Sequence, residues 1–95
     1  MITFKIPARL DVVTSADTET QLTRLLNDEN PDTLVCDFSE TEYVSSAGLR
    51  IILLITKQMK NAGGHCILCG MKKAVHEVFH MVGFDTVMDI RDSMD

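Results

Sequence analysis

No stretch of this chain approaches the ~20 consecutive apolar residues that span a bilayer. The longest apolar run, Ile51 to Ile55, is far too short. The N-terminal segment, Met1 to Ile6, carries one lysine and no long apolar run. No signal peptide is therefore expected, and a cytoplasmic location is. Positive charge is also scarce: 9 Lys and Arg against 14 Asp and Glu leave a net charge of −5. Nucleic acids and anionic membranes recruit basic residues, so neither is expected as a partner. The 3 cysteines are an odd number in a chain without a secretion signal, which favours reduced thiols. A glycine-rich phosphate loop is missing, because Gly63-Gly64 lacks the GK[ST] ending and follows a helical stretch instead of opening one. Repeats, low-complexity tracts and linkers are absent too. What remains is 45% hydrophobic and 24% charged, an ordinary composition for one compact domain over residues 1–95.

Ile2, Phe4 and Ile6 alternate with polar residues, the period of a half-buried strand. Pro7 interrupts the ladder, and a second short strand is expected near Arg9 to Val12. Thr14 to Asp17 offers capping groups for a first helix, whose apolar stripe is Leu22, Leu25 and Leu26. Asn30-Pro31 ends it. Thr33 to Ser39 reads as a central strand, with Leu34, Cys36 and Phe38 on one face and Val35 on the other. A polar turn over residues 40–42 precedes a second helix from about Ser46 to Asn61, stopped by Gly63-Gly64. His65 to Gly70 is a further strand. Lys72 to Val82 is a third helix, with Val75, Val78, Phe79 and Val82 facing inward, and Thr86 to Ile90 is a last strand. Strands alternating with helices predict an α/β domain with a mixed sheet of about four to five strands.

Two motifs invite metal or redox chemistry. HEVFH at 76–80 satisfies the H-E-x-x-H zinc pattern, and Gly83 lies at the offset of the extended motif. Thr86, however, stands where a third histidine would be needed. On a helical projection Glu77 points nearly opposite the apolar face, so a solvated helix surface is preferred over a zinc hydrolase. Cys66 and Cys69 form a CxxC, but residues three apart on a strand face opposite sides. No second CxxC completes a four-cysteine site. Buried strand cysteines are the expected reading, and no catalytic residue, cofactor or metal is assigned.

YVSSAGLR at 43–50 is a strand–turn–helix junction. Ser45 and Ser46 can cap the helix, while Ala47 and Gly48 permit close approach of another surface. Free N–H groups at such a helix start stabilise an anion, so a hydroxyl here suits phosphate. Leu49, Ile52, Leu53, Thr56 and Met59 form the inward stripe. Leu54 falls opposite it, with Ile51 nearby, and the two are expected to rim a docking surface.

These segments resemble a STAS domain, the family of bacterial anti-sigma factor antagonists. ARLD at 8–11 is similar to the family's G-x-L-D element, with Ala8 in place of glycine. Residues 35–60 resemble its D-x-S…[SD]-S-[AS]-G-L block and following helix. Residues 63–71 and 78–90 resemble its later strand and "GF" elements. The resemblance implies a mixed sheet flanked by helices, with the first strand antiparallel at the edge. It places phosphorylation on Ser46, the second serine of the turn, with Ser45 the lesser candidate: many family members carry Asp there, so this chain has a competing hydroxyl. The implied partners are an anti-sigma factor with GHKL-type serine kinase activity and a type 2C protein phosphatase. Unphosphorylated antagonist binds the anti-sigma factor; phosphorylated antagonist releases it. The partner-binding residues it implies are Asp11, Asp37, Ser39, Ser45, Ser46, Ala47, Gly48 and Leu49, to which the helix-face reading adds Ile51 and Leu54. A STAS module that binds constitutively, without phosphorylation, is the alternative within the family.

Overall fold

The computed structural model describes residues 1–94. Four strands, β1 (Ile2–Lys5), β3 (Thr33–Asp37), β5 (His65–Cys69) and β6 (Asp89–Arg91), make a sheet in the order β1-β3-β5-β6. Between them run α1 (Val12–Glu29), α2 (Ser46–Asn61) and α3 (Lys73–Met81), with a 3-10 turn at Phe84–Thr86. Two short strands, β2 (Arg9–Leu10) and β4 (Tyr43–Val44), form a separate parallel ladder with Arg9 opposite Tyr43 and Leu10 opposite Val44.

Every pairing in the main sheet is parallel, β1 included: Ile2 lies opposite Leu34 and Lys5 opposite Asp37. The expected antiparallel first strand is thus corrected. Beyond Pro7 the chain leaves the main sheet to build β2, so β1 makes no hairpin. It returns as β3 only after the long α1 crossover, which restores the strand direction.

Period-2 alternation divides the sheet into two unlike faces. Leu34, Cys36, Cys66 and Leu68 join the main core with Leu22 and Leu26 of α1, Ile52 and Ile55 of α2, and Val75 and Phe79 of α3. Val35, Ile67 and Cys69 form a small cluster on the other face, away from the helices. Cys66 and Cys69 therefore lie on opposite faces, and all three cysteines are free thiols. Phe79 packs edge-on against both Phe38 and Phe84, with ring centroids 5.7 and 6.2 Å apart, tying α3 and the 3-10 turn to the sheet.

Three boundary differences reach beyond the end residues of an element. α1 begins at Val12, capped by Asp11, earlier than the Thr14 to Asp17 signal. Val82 lies beyond α3 and is 49% exposed, because Gly83 takes a left-handed φ of 78° and turns Phe84 inward in its place. Thr86 belongs to the 3-10 turn, which delays the last strand to Asp89. α2, in contrast, spans the expected Ser46–Asn61, and Asn30 caps α1 in the left-handed region at φ 43°.

Candidate functional site

The β2–β4 ladder is short but decides the layout of the site. Its two strands run parallel and each leads directly into a helix, so α1 and α2 start side by side. The Ser45 N–H donates to the Leu10 carbonyl at 2.9 Å, holding the second start against the first. Gly48 makes this approach possible, since a Cβ there would stand 2.6 Å from Leu10 O.

The two starts are capped differently. At α1, Asp11 Oδ1 accepts from the Val13 and Thr14 N–H groups, each at 3.0 Å. Thr14 Oγ1 accepts from the Asp11 N–H at 2.9 Å, completing a capping box. The Thr14 N–H, then that of Val13, holds the Asp11 carboxyl below the usual carboxylate range against some desolvation. A lowered folded pKa means that this carboxylate's contribution is complete above the ordinary carboxylate pKa and lost as pH falls through the lowered value. Asp11→Asn keeps a capping oxygen without the charge. It should therefore flatten the acid limb of stability measured by chemical denaturation across pH.

At α2 the cap is neutral. Ser45 Oγ accepts from the Gly48 N–H at 3.3 Å, its carbonyl accepts from the Leu49 N–H at 2.9 Å, and no acidic residue lies in the first turn. Ser46, the first helical residue, is exposed, and its hydroxyl makes no hydrogen bond among the described residues. The two serines thus differ in their engagement, Ser45 in capping and Ser46 in nothing. Ser45→Ala should cost about 1 kcal/mol and lower the melting temperature by about 4–8 °C, read by calorimetry.

Exposed apolar side chains stand at the two adjacent helix starts and along α2. Val12 and Val13 are 75% and 82% exposed in the first turn of α1, next to the cap. Tyr43 is partly exposed, with the Arg9 guanidinium 4.7 Å above its ring. Along α2, Ser46, Arg50, Leu54 and Lys57 make one exposed ridge at helical spacing. Leu54 lies about 12 Å from Ser46 along the axis. Sequence reasoning missed Val12, Val13 and Tyr43. The available signal was a β-branched pair placed directly after a capping Asp, where a helix buries nothing.

The other residues expected at the partner surface lie in different surroundings. Gly48, Leu49 and Ile51 are buried, Ile51 at 2% exposure, because its side chain turns into the core beside Ile52 and Ile55. Close approach at Gly48 is made by the protein's own Leu10. Asp37 and Ser39 form a separate group: Asp37 Oδ1 accepts from the Ser39 N–H at 2.9 Å, and both border a cavity on the sheet's helix-free side with Val35 and Cys69. Asp11 acts as a cap.

Along the helix that carries HEVFH, Val75 and Phe79 point inward and Glu77 outward. His80 Nδ1 lies 2.6 Å from Asp85 Oδ2, and that hydrogen bond raises the imidazole pKa. Among the described residues, no group of three or more His, Cys, Asp or Glu is placed to hold a metal ion, and no helix is long and apolar enough to cross a membrane.

Fold and site together define a single-domain α/β module whose accessible hydroxyl stands at a helix start, among exposed apolar and basic side chains. The chain belongs to the STAS domain family, whose profile matches residues 1–95. Among its relatives is the candidate anti-sigma factor antagonist BtrV of Bordetella bronchiseptica. It is 37% identical over 68 residues, covering 72% of this chain and 59% of BtrV. A candidate anti-sigma factor antagonist from Thermotoga maritima superposes with a TM-score of 0.87 at 18% identity, over 97% of this chain and 80% of that one. The Bacillus cell fate determinant SpoIIAA, in its phosphorylated form, gives 0.73 at 15% identity, over 97% and 82%.

Proposed function

We propose that the protein is a cytoplasmic anti-sigma factor antagonist that works by partner switching rather than as an enzyme. Unphosphorylated, it binds an anti-sigma factor with GHKL-type serine kinase activity through the surface formed by Ser46, Val12, Val13, Tyr43 and Leu54. The kinase transfers phosphate to Ser46, the complex separates, and a type 2C phosphatase restores the acceptor. The observation that carries this reading is the exposed, unengaged Ser46 hydroxyl on the first helical residue of α2. The likeness to BtrV supports the antagonist role, and a protein of the same fold, SpoIIAA, has been solved in both unphosphorylated and phosphorylated forms.

The physics of the switch follows from that position. Phosphate brings about −1.5 to −2 charges to a helix end that carries no acidic residue in its first turn. Arg50, one turn along the same exposed ridge, supplies a nearby cation. The domain itself therefore tolerates the group, and the cost falls on a partner surface built around apolar contacts and a neutral hydroxyl.

Incubation with the cognate kinase and ATP, followed by peptide mass spectrometry, tests the assignment. Phosphate on Ser46 is expected. Phosphate on Ser45 or elsewhere would overturn the assignment. A tight complex indifferent to ATP would instead mark a constitutive binding module.

A further inference from the structure

α2 carries charge of one sign. It holds Arg50, Lys57 and Lys60 and no acidic residue, in a chain whose net charge is −5. α1 beside it has Asp17, Glu19, Asp28 and Glu29 against Arg24. The excess of positive charge is therefore local, and it falls on the helix that begins at Ser46.

Two of these cations stand on the exposed ridge. Arg50 and Lys57 lie on either side of Leu54, itself 40% exposed, and are about 10 Å apart along the helix axis. Lys60 leans away from them and borders a cavity with Asp89. Elsewhere the protein answers its own cations: Lys5 pairs with Glu40, Arg9 with Asp11, Lys72 with Glu42 and Arg91 with Asp89. Among the described residues, Arg50 and Lys57 have no such carboxylate. Free cations are common on surfaces; these two flank an exposed leucine in line with Ser46. A nucleic-acid backbone calls for a longer basic row, on the order of 6–10 phosphate contacts, and gains nothing from a central leucine.

We propose that the anti-sigma factor presents to α2 an apolar hollow for Leu54, flanked by carboxylates that pair with Arg50 and Lys57. This rests on the partner-switching reading above and adds the chemistry of the partner's face. Charges on the rim of an apolar contact act mainly on encounter, raising the association rate and fixing the register. Phosphate on Ser46, one helical turn before Arg50, meets the same carboxylates with like charge and offers Arg50 an anion within its own helix.

The test is the rate of association with the purified anti-sigma factor that phosphorylates this protein, followed by stopped flow without ATP. For wild type the rate should fall about tenfold or more between roughly 0.1 and 1 M salt, where the screening length shrinks from about 10 to 3 Å. Arg50→Gln with Lys57→Gln should bring the low-salt rate down to near the high-salt one. Arg50→Glu with Lys57→Glu should invert the salt dependence. Arg24→Glu changes the net charge as much as the Gln pair does, but on α1, and should leave most of the rate in place. Unchanged melting temperatures separate these effects from misfolding. A wild-type rate indifferent to salt, a Gln pair that associates like wild type, or an equal loss in Arg24→Glu would each overturn the proposal and leave the switch standing. Sedimentation with phosphatidylserine vesicles that is lost in the Gln pair would assign the ridge to a membrane and overturn it too. Failure of the factor to bind wild-type protein at either salt would remove the partner-switching reading itself, and this inference with it.

Discussion

Ser46→Ala is expected to abolish phosphate uptake from the cognate kinase while leaving the fold intact, and Ser46→Glu to weaken partner binding by roughly tenfold or more, about 1.4 kcal/mol. The Ser46 hydroxyl makes no hydrogen bond among the described residues, so its removal orphans nothing. Glu at the first helical position meets the positive end of α2, where an added carboxylate typically gains about 0.3–1 kcal/mol. The Glu variant should therefore melt no lower than wild type, which separates a loss of binding from a loss of structure. Glu carries a single charge and less bulk than phosphate, so its effect sets a lower bound on that of the real modification. Isothermal titration against the anti-sigma factor reads the affinity and calorimetry the stability. Wild-type affinity in both the Ser46→Glu and a Ser46→Asp variant would sink the switch.

Gly48→Ala should destabilise the protein by about 1–3 kcal/mol, the usual range for forcing atoms into a packed site. A glycine inside a helix is normally replaced by alanine with a gain of about 0.5–1 kcal/mol, so even the sign of the effect is diagnostic. Here the new methyl would stand 2.6 Å from Leu10 O and 2.8 Å from Leu10 Cγ. The carbonyl cannot retreat freely, because it accepts the Ser45 N–H bond that sets the two helix starts abreast. Loss of stability and loss of partner binding should therefore appear together. A raised melting temperature would mean that the ladder yields easily and that the site is less rigidly positioned than described.

Much of this molecule is legible in one dimension. Val35 among Leu34, Cys36 and Phe38 announces a strand with two faces, and Asn30-Pro31 and Gly63-Gly64 mark helix ends through backbone preferences of those residues alone. Those signals are local, and they held. Val12, expected to end a strand from Arg9, misled for an equally local reason: β-branched residues favour strands in isolation. The Asp11 carboxylate, satisfying two N–H groups, outweighs that preference and starts the helix there. Ile51 misled because a helical projection fixes angles around one axis but not the width of the buried arc. That arc is set by the sheet on one side and α1 on the other, and it reaches Ile51.

The sequence by itself determined the elements, the class and the serine-bearing helix start, because turn chemistry and hydrophobic period act over a few residues. Tertiary structure alone decided three further things. It made β1 parallel through the α1 crossover, and it drew Gly48 against Leu10. It also separated the two adjacent serines, giving Ser45 the cap and leaving Ser46 to solvent. Each depends on segments more than 30 residues apart meeting across β1–β3 or the β2–β4 ladder, and no local preference encodes such a meeting.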